Sequence, residues 1–271
     1  MKATLNGAAL CRNSTRGSRC DQDKRKKSVP TLMGNRTRVH LLASRVHKWL
    51  ALIIGAQLLI WFASGVIMSF LPIEKVRGEH LVDRDRIVAI PADVELLSAS
   101  ALAGRVAAPV TSMTVHMLDN RPVAELVTNK GIKLFDAATG AALPPVDAAL
   151  ATKIARAAWT SPQPPRATAT MVRVASTEYR AALPAWRIAF ADADNTSIFV
   201  AVDTGKITAV RNGTWRLYDF FWGLHIMDWK SHEDFNSWWL LGFAIGGLVL
   251  GIAGTVLLIM RWPFRRKRRL A

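Results

Sequence analysis

WRLYDFFWGLHIMDWKSHEDFNSWWLLGFAIGGLVLGIAGTVLLIMRWPFRRKRR, running from Trp215 to Arg269, decides the architecture. Its middle, Trp238 to Met260, carries no charged residue. About 23 residues at ~1.5 Å each make roughly 35 Å of helix, enough to cross a bilayer core with some tilt. Trp238 and Trp239 at one end and Trp262 at the other are placed as interfacial anchors. Arg261, Arg265, Arg266, Lys267, Arg268 and Arg269 follow, so this end is expected to face the cytoplasm. A buried core helix would be shorter and less uniformly apolar.

A second uncharged stretch lies toward the other terminus: WLALIIGAQLLIWFASGVIMSFL, Trp49 to Leu71. Arg36, Arg38, Arg45 and Lys48 precede it, and Glu74 and Glu79 follow. It lacks a small-residue cleavage site and reads as a retained signal-anchor with its N-terminal end in the cytoplasm. Gly55, Ser64 and Gly65 offer small surfaces for helix contact. Two spans with basic outer flanks place residues 73 to 236 outside the cytoplasm, in the periplasm of a cell with two membranes. A loop of that length translocates largely regardless of its own charge.

The chain has 271 residues, a net charge of +16 and a hydrophobic fraction of 51%. Much of the positive excess sits beside the two spans, where it sets topology and attracts anionic lipid. No nucleic-acid-binding signature accompanies it, so nucleic acid is not an expected partner. Cys11 and Cys20 fall in the polar N-terminal tail with no histidine nearby, which excludes a zinc pattern. The loop has no cysteine and forms no disulfide. Residues 1–45 read as a basic, disordered cytoplasmic tail. Met33, just before the periodic part, is an alternative start to Met1.

The loop reads as α+β. Leu97–Ala108 and Val146–Trp159 have helical composition, the latter with Asp147 favourably placed near its N-terminus and Leu150, Ile154 and Ala158 on one face. Pro122–Val127, Gly131–Phe135, Trp186–Phe190 and Ile198–Val202 read as strands. Asp136–Gly140 and Asp203–Gly205 read as turns, their carboxylates bonding nearby backbone N–H groups. Helix, strand pair and Asp-led turn recur after about 65 residues, which suggests two similar modules, at about 92–160 and 166–212. Arg216–Trp229 is expected to be an amphipathic helix in an interfacial segment, 215–236, at the outer membrane surface.

PAWRIAFADADNTSIFVAVDTGKITAV, Pro184 to Val210, resembles the PepSY domain, with its Trp-led strand and a second strand ending in an Asp-Thr-Gly-Lys turn. Ala151 to Ala155 resembles the Ala-x-x-Ile-Ala helix of such domains. VHKWLALIIGAQLLIWFASGVIMSF, Val46 to Phe70, is similar to the PepSY-associated transmembrane helix, through His47, Trp49, Leu50, Leu52, Gly55, Ser64 and Gly65. LYDFFWGLHIMDW and the Gly-rich span ending at Arg261-Trp262 fit the same pattern. The resemblance covers about residues 45 to 263. It implies either a soluble-type module that binds peptides or regulates a peptidase, or kinship with haem-containing inner-membrane reductases of ferric-siderophore uptake. Larger members of the second kind generally have four spans; this chain has two.

A b-type haem needs two axial ligands at one membrane depth. His47 and His225 are the candidate ligands, one at each membrane face and roughly 35 Å apart by helix rise, so they cannot share one haem. Each would need a second ligand from another copy, which makes a homodimer the matching assembly. The alternative readings are an interfacial residue for His47 and aromatic packing with Phe220, Phe221, Trp222 and Trp229 for His225; His232 reads as a solvated loop residue, with service as an alternative ligand the other reading. His40, His80 and His116 read as ordinary surface or strand residues. No Gly-x-Ser-x-Gly, His-Glu-x-x-His, P-loop or dinucleotide pattern occurs, so no catalytic residue is assigned.

The expectation is a multi-pass inner-membrane protein with both termini cytoplasmic. Spans at 46–72 and 237–262 enclose an extracytoplasmic α+β region at 73–214 made of two PepSY-like modules, and a basic tail at 263–271 closes the chain. Its expected function is that of an anchored module binding a periplasmic protein or peptide. The alternative is a small haem-b electron-transfer component serving iron uptake.

Overall fold

A computed structural model describes residues 35–84, 86 and 88–261. Cys11, Cys20, both candidate start methionines and the basic tail from Trp262 onward lie outside the described residues. The chain divides into an N-terminal unit ending at Trp49 and a larger unit from Leu50 onward, which holds every described element except the start of α1.

The first and last elements are the two long apolar helices, α1 (Asn35–Phe70) and α6 (Trp238–Arg261). Within them, His47–Phe70 and Trp238–Thr255 are long and apolar enough to cross a membrane. Most of their described side chains are exposed, as for surfaces solvated by lipid rather than by a protein core. They touch where α6 carries glycines: a Cβ on Gly246 would lie 2.7 Å from Ile54 Cδ1, and one on Gly247 would lie 3.5 Å from Leu58. Small residues allow this approach. They sit on α6; on α1, Gly55 meets nothing, and Ser64 and Gly65 serve another helix.

Between the long helices lie two antiparallel sheets, with strand orders β1-β2-β3 and β4-β5-β6-β7. The first comprises β1 (Val110–Leu118), β2 (Arg121–Thr128) and β3 (Gly131–Asp136). Asp119 and Asn120, both at positive φ, join β1 to β2 in a two-residue turn whose twist suits a hairpin. Ala124 and Leu126 face a core closed by Leu102 of the short helix α3 (Ala99–Ala103). The helix expected over Leu97–Ala108 is reduced to those five residues, because Gly104 caps it and the chain soon enters β1.

The second sheet comprises β4 (Ala167–Val172), β5 (Ala185–Phe190), β6 (Ser197–Ala201) and β7 (Ile207–Arg211). Helix α4 (Ala148–Ala157) starts at Asp147, whose Oδ1 accepts from Leu150 N at 2.8 Å. Ala151 and Ala155 are fully buried and let α4 settle on Ile188, Ile198 and Val200. Trp186 Nε1 donates to Val146 O at 2.8 Å and ties the helix entry to β5. The helix expected to belong to a module at 92–160 thus shares the core of the second sheet, where its alanine face packs on those strands.

The two turns differ. Asp136 Oδ1 accepts from Ala138 N and Thr139 N, which holds its carboxyl below the usual range. Asp203 Oδ1 is buried without a hydrogen-bond partner among the described residues, and Thr204 Oγ1 accepts the turn's bond from Lys206 N. This second turn reaches the first sheet: a Cβ on Gly205 would sit 3.0 Å from Leu118. Lys206 pairs with buried Glu125 of β2, and Lys153 of α4 pairs with Asp119 at 2.6 Å.

His116 of β1 lies beside this contact, both ring nitrogens without hydrogen-bond partners among the described residues. Burial, then the Lys206 charge, pushes its pKa below 6.5, with Glu125 opposing. The unfolded chain therefore binds the proton more readily, and stability falls as pH drops below 6.5 toward the lowered folded value. His116→Leu should flatten that decline. Thermal unfolding at neutral and mildly acid pH checks it, and an unchanged acid-side slope would clear His116.

Candidate functional site

Of the two candidate ligands, His225 lies where the element after the second sheet meets α1. After β7, Asn212 caps helix α5 (Gly213–His225), its Oδ1 accepting from Trp215 N at 2.7 Å. Its Nδ2 donates to Lys75 O at 2.8 Å, in the short helix α2 (Ile73–Arg77) that follows α1. Asn212 is 1% exposed. Arg216 of α5 donates to Glu178 Oε1 at 2.6 Å. Arg211 donates to the Glu178 carbonyl and lies 4.1 Å over the Trp215 ring.

At its far end α5 presents His225 to α1. Nδ1 lies 3.1 Å from Trp61 O and 3.1 Å from Ser64 Oγ, and Ser64 Oγ donates to Trp61 O at 2.9 Å. A carbonyl only accepts, so Nδ1 carries the proton, and in the neutral ring Nε2 keeps the lone pair. Nε2 has no hydrogen bond among the described residues. The imidazole stacks on Trp61 at 5.0 Å, and Gly65 makes room, since a Cβ there would lie 3.3 Å from His225 Cε1. Beside the ring runs a groove of about 510 Å³, lined by Trp61, Phe62, Val66 and Phe70 among others. In place of the aromatic cluster expected around His225, the ring stacked on it is Trp61 of α1. His47 lies exposed on the first part of α1.

α5 stops at His225, four residues short of the expected Trp229. Ile226 is the cap, Met227 turns to φ 57° and Asp228 anchors the segment up to Asp234. The Asp228 carboxylate accepts from Ser231 Oγ at 2.5 Å and from the N–H groups of Lys230, Ser231, Glu233 and Asp234. The Ser231 hydroxyl, then those N–H groups, hold its carboxyl far below the usual range. Asp228→Ala should raise amide exchange at these positions by about tenfold, near one hydrogen bond each. Site-resolved exchange is the readout, and unchanged protection would refute the anchor.

His232 is not a solvated loop residue. Its Nδ1 lies 2.7 Å from Asp219 Oδ2, its carbonyl accepts from Trp222 Nε1, and its ring covers Gly223, where a Cβ would lie 2.6 Å from Nε2. Gly223 is the signal in the sequence for this packing. No group of three or more His, Cys, Asp or Glu able to hold a metal ion occurs among the described residues.

Two long apolar helices, the first of them hydrogen-bonded to the helix α5 that follows a body of two antiparallel sheets, mark a membrane-associated protein. The family model described as PepSY-associated TM region matches residues 44–271, and the chain belongs to that family. No curated protein and no solved structure matches it.

Proposed function

We propose that the chain is an inner-membrane-anchored module that binds a periplasmic protein or peptide and conveys that engagement to its first span. The observation supporting this reading is the double clamp made by α5: Asn212 holds Lys75 O at one end, and His225 holds Trp61 O at the other. A tether alone would need neither. Both clamps make the second sheet, α5 and the outer end of α1 respond as one piece to a load on the sheets. The test is photo-crosslinking in living cells from exposed positions on both sheets, with impermeant maleimide labelling of cysteines at the same positions. Discrete adducts at maleimide-accessible positions are expected. Accessible positions that never yield an adduct would remove the binding role.

One observation favours a second reading, a small haem-b electron-transfer component. The proton on Nδ1 of His225 is fixed by Trp61 O, which leaves Nε2 as a donor beside an apolar groove, the arrangement in which an outer partner orients an axial histidine. The residues fit one axial position. A bound haem would supply one-electron chemistry. The same histidine of a second copy would complete the ligand set. Protein purified after haem supplementation would then show a sharp reduced α-band that His225→Ala abolishes. A featureless spectrum from folded protein would exclude this reading.

A further inference from the structure

We infer that the outer edge of β4 is a docking site for an extended, acidic segment of a partner protein, which adds a fifth strand to the second sheet. This rests on the reading of the chain as a binding module and locates its contact. Ala191 N donates to Arg166 O at 2.9 Å, so residues 166 and 191 form a hydrogen-bonded pair. Pair type alternates along an antiparallel ladder. Since Ala167 aligns with Phe190, Ala169 with Ile188 and Met171 with Trp186, these three residues of β4 direct their N–H and C=O groups away from β5. Phe190 N donates instead to Thr196 O on the opposite side, in keeping with that phase. No strand pairs with that outer edge among the described residues. It therefore presents a row of donors and acceptors at two-residue spacing, which is what an added strand satisfies.

The other edges are less suited. β3 is met by Leu143, which donates to Leu134 O, β1 is interrupted by a bulge between Val110 and Ser112, and β7, which packs on α2 as β4 packs on α4, has the charged Arg211 within it. β4 contains no charged residue or proline to block an added strand.

Charge selects the occupant. Residues 148–177 contain Lys153, Arg156, Arg166 and Arg173 and no acidic residue. Lys153 is engaged by Asp119, while Arg166 and Arg173 are exposed at the two ends of β4. At the β5–β6 turn, Asp192 is held by Thr196 N and Oγ1. A second copy of β4 would bring two further arginines and no acidic residue to this edge, so it offers Arg166 and Arg173 no charge partner. An acidic strand meets the same arginines with opposite charge.

The test uses the full chain in lipid nanodiscs and short fluorescein-labelled peptides of alternating Val and Thr, flanked by Asp or by Lys. The Asp-flanked peptide should bind about tenfold more tightly than the Lys-flanked one, and Arg166→Glu with Arg173→Glu should invert that order. Ala169→Pro, which removes an outward N–H, should abolish binding, as should N-methylation of alternate peptide bonds. The arginine variants keep the test valid should the proline variant not fold. Binding indifferent to N-methylation or to charge reversal, or no binding at all, would overturn the proposal. If the peptides fail while in-cell adducts form elsewhere on the sheets, the edge assignment falls alone. If the adducts are absent too, the module reading falls with it.

Discussion

Lys206→Met is expected to destabilise the sheet body by about 2–3 kcal/mol. Glu125 sits in the middle strand of the first sheet, aligned with Thr114 and Leu134, and its side chain is 9% exposed. Its charge partner is the Lys206 ammonium, carried by the turn after β6. Removing the amine leaves a carboxylate buried without an ion-pair partner. Breaking a fully buried pair costs about 3–5 kcal/mol, and Lys206, half exposed, lets water recover part of that. The double variant Glu125→Met with Lys206→Met buries no charge and should regain most of the loss. A double-mutant cycle read by thermal unfolding in mild detergent checks this. Single variants that each match the parent to within about 0.5 kcal/mol would show that the pair is not coupled. The same variants report on how the sheets join, because Leu118 against Gly205 and Asp119 with Lys153 flank this ion pair.

The spans were legible because an uncharged run of that length suits a bilayer and little else. Asp147, Trp186 and the Asp-Thr-Gly turn also announced themselves, since capping and turn chemistry are local. What the sequence hid was long-range. β1, VTSMTVHML, is not among the expected strands, although Met113, Val115 and Met117 alternate with polar residues. It is a strand because one face meets the α3 core and the other meets the second sheet. α4 has an alanine face that would suit either sheet, and its partner is decided by geometry no window can see. Ser64 and Gly65 stood out as a small contact surface, but their partner, His225, lies 161 residues away from Ser64. His232 looked solvated because its neighbours are charged. Only the fold brings Asp219 and bare Gly223 beneath it.

Asn212→Leu should be among the most damaging substitutions near the long helices, costing about 3 kcal/mol. Loss of the cap to Trp215 N accounts for about 1 kcal/mol, and the stranded Lys75 carbonyl for a further ~1–3 kcal/mol. Leucine also brings an apolar side chain to a site 1% exposed and built for an amide. Its neighbour Gly78, at φ 74° and with a Cβ position 2.8 Å from Val210, leaves no slack for α2 to move aside. Asn212→Asp separates the two contributions: it keeps the acceptor for Trp215 N but sets a carboxylate against Lys75 O. If the cap alone mattered, Asp would behave like the parent. If the clamp to α2 matters, Asp should be nearly as damaging as Leu, and hydrogen exchange should rise in α2 and α5 together while α4 stays protected. Equal stability of the Asp variant and the parent would refute the clamp and leave α5 an independently capped helix.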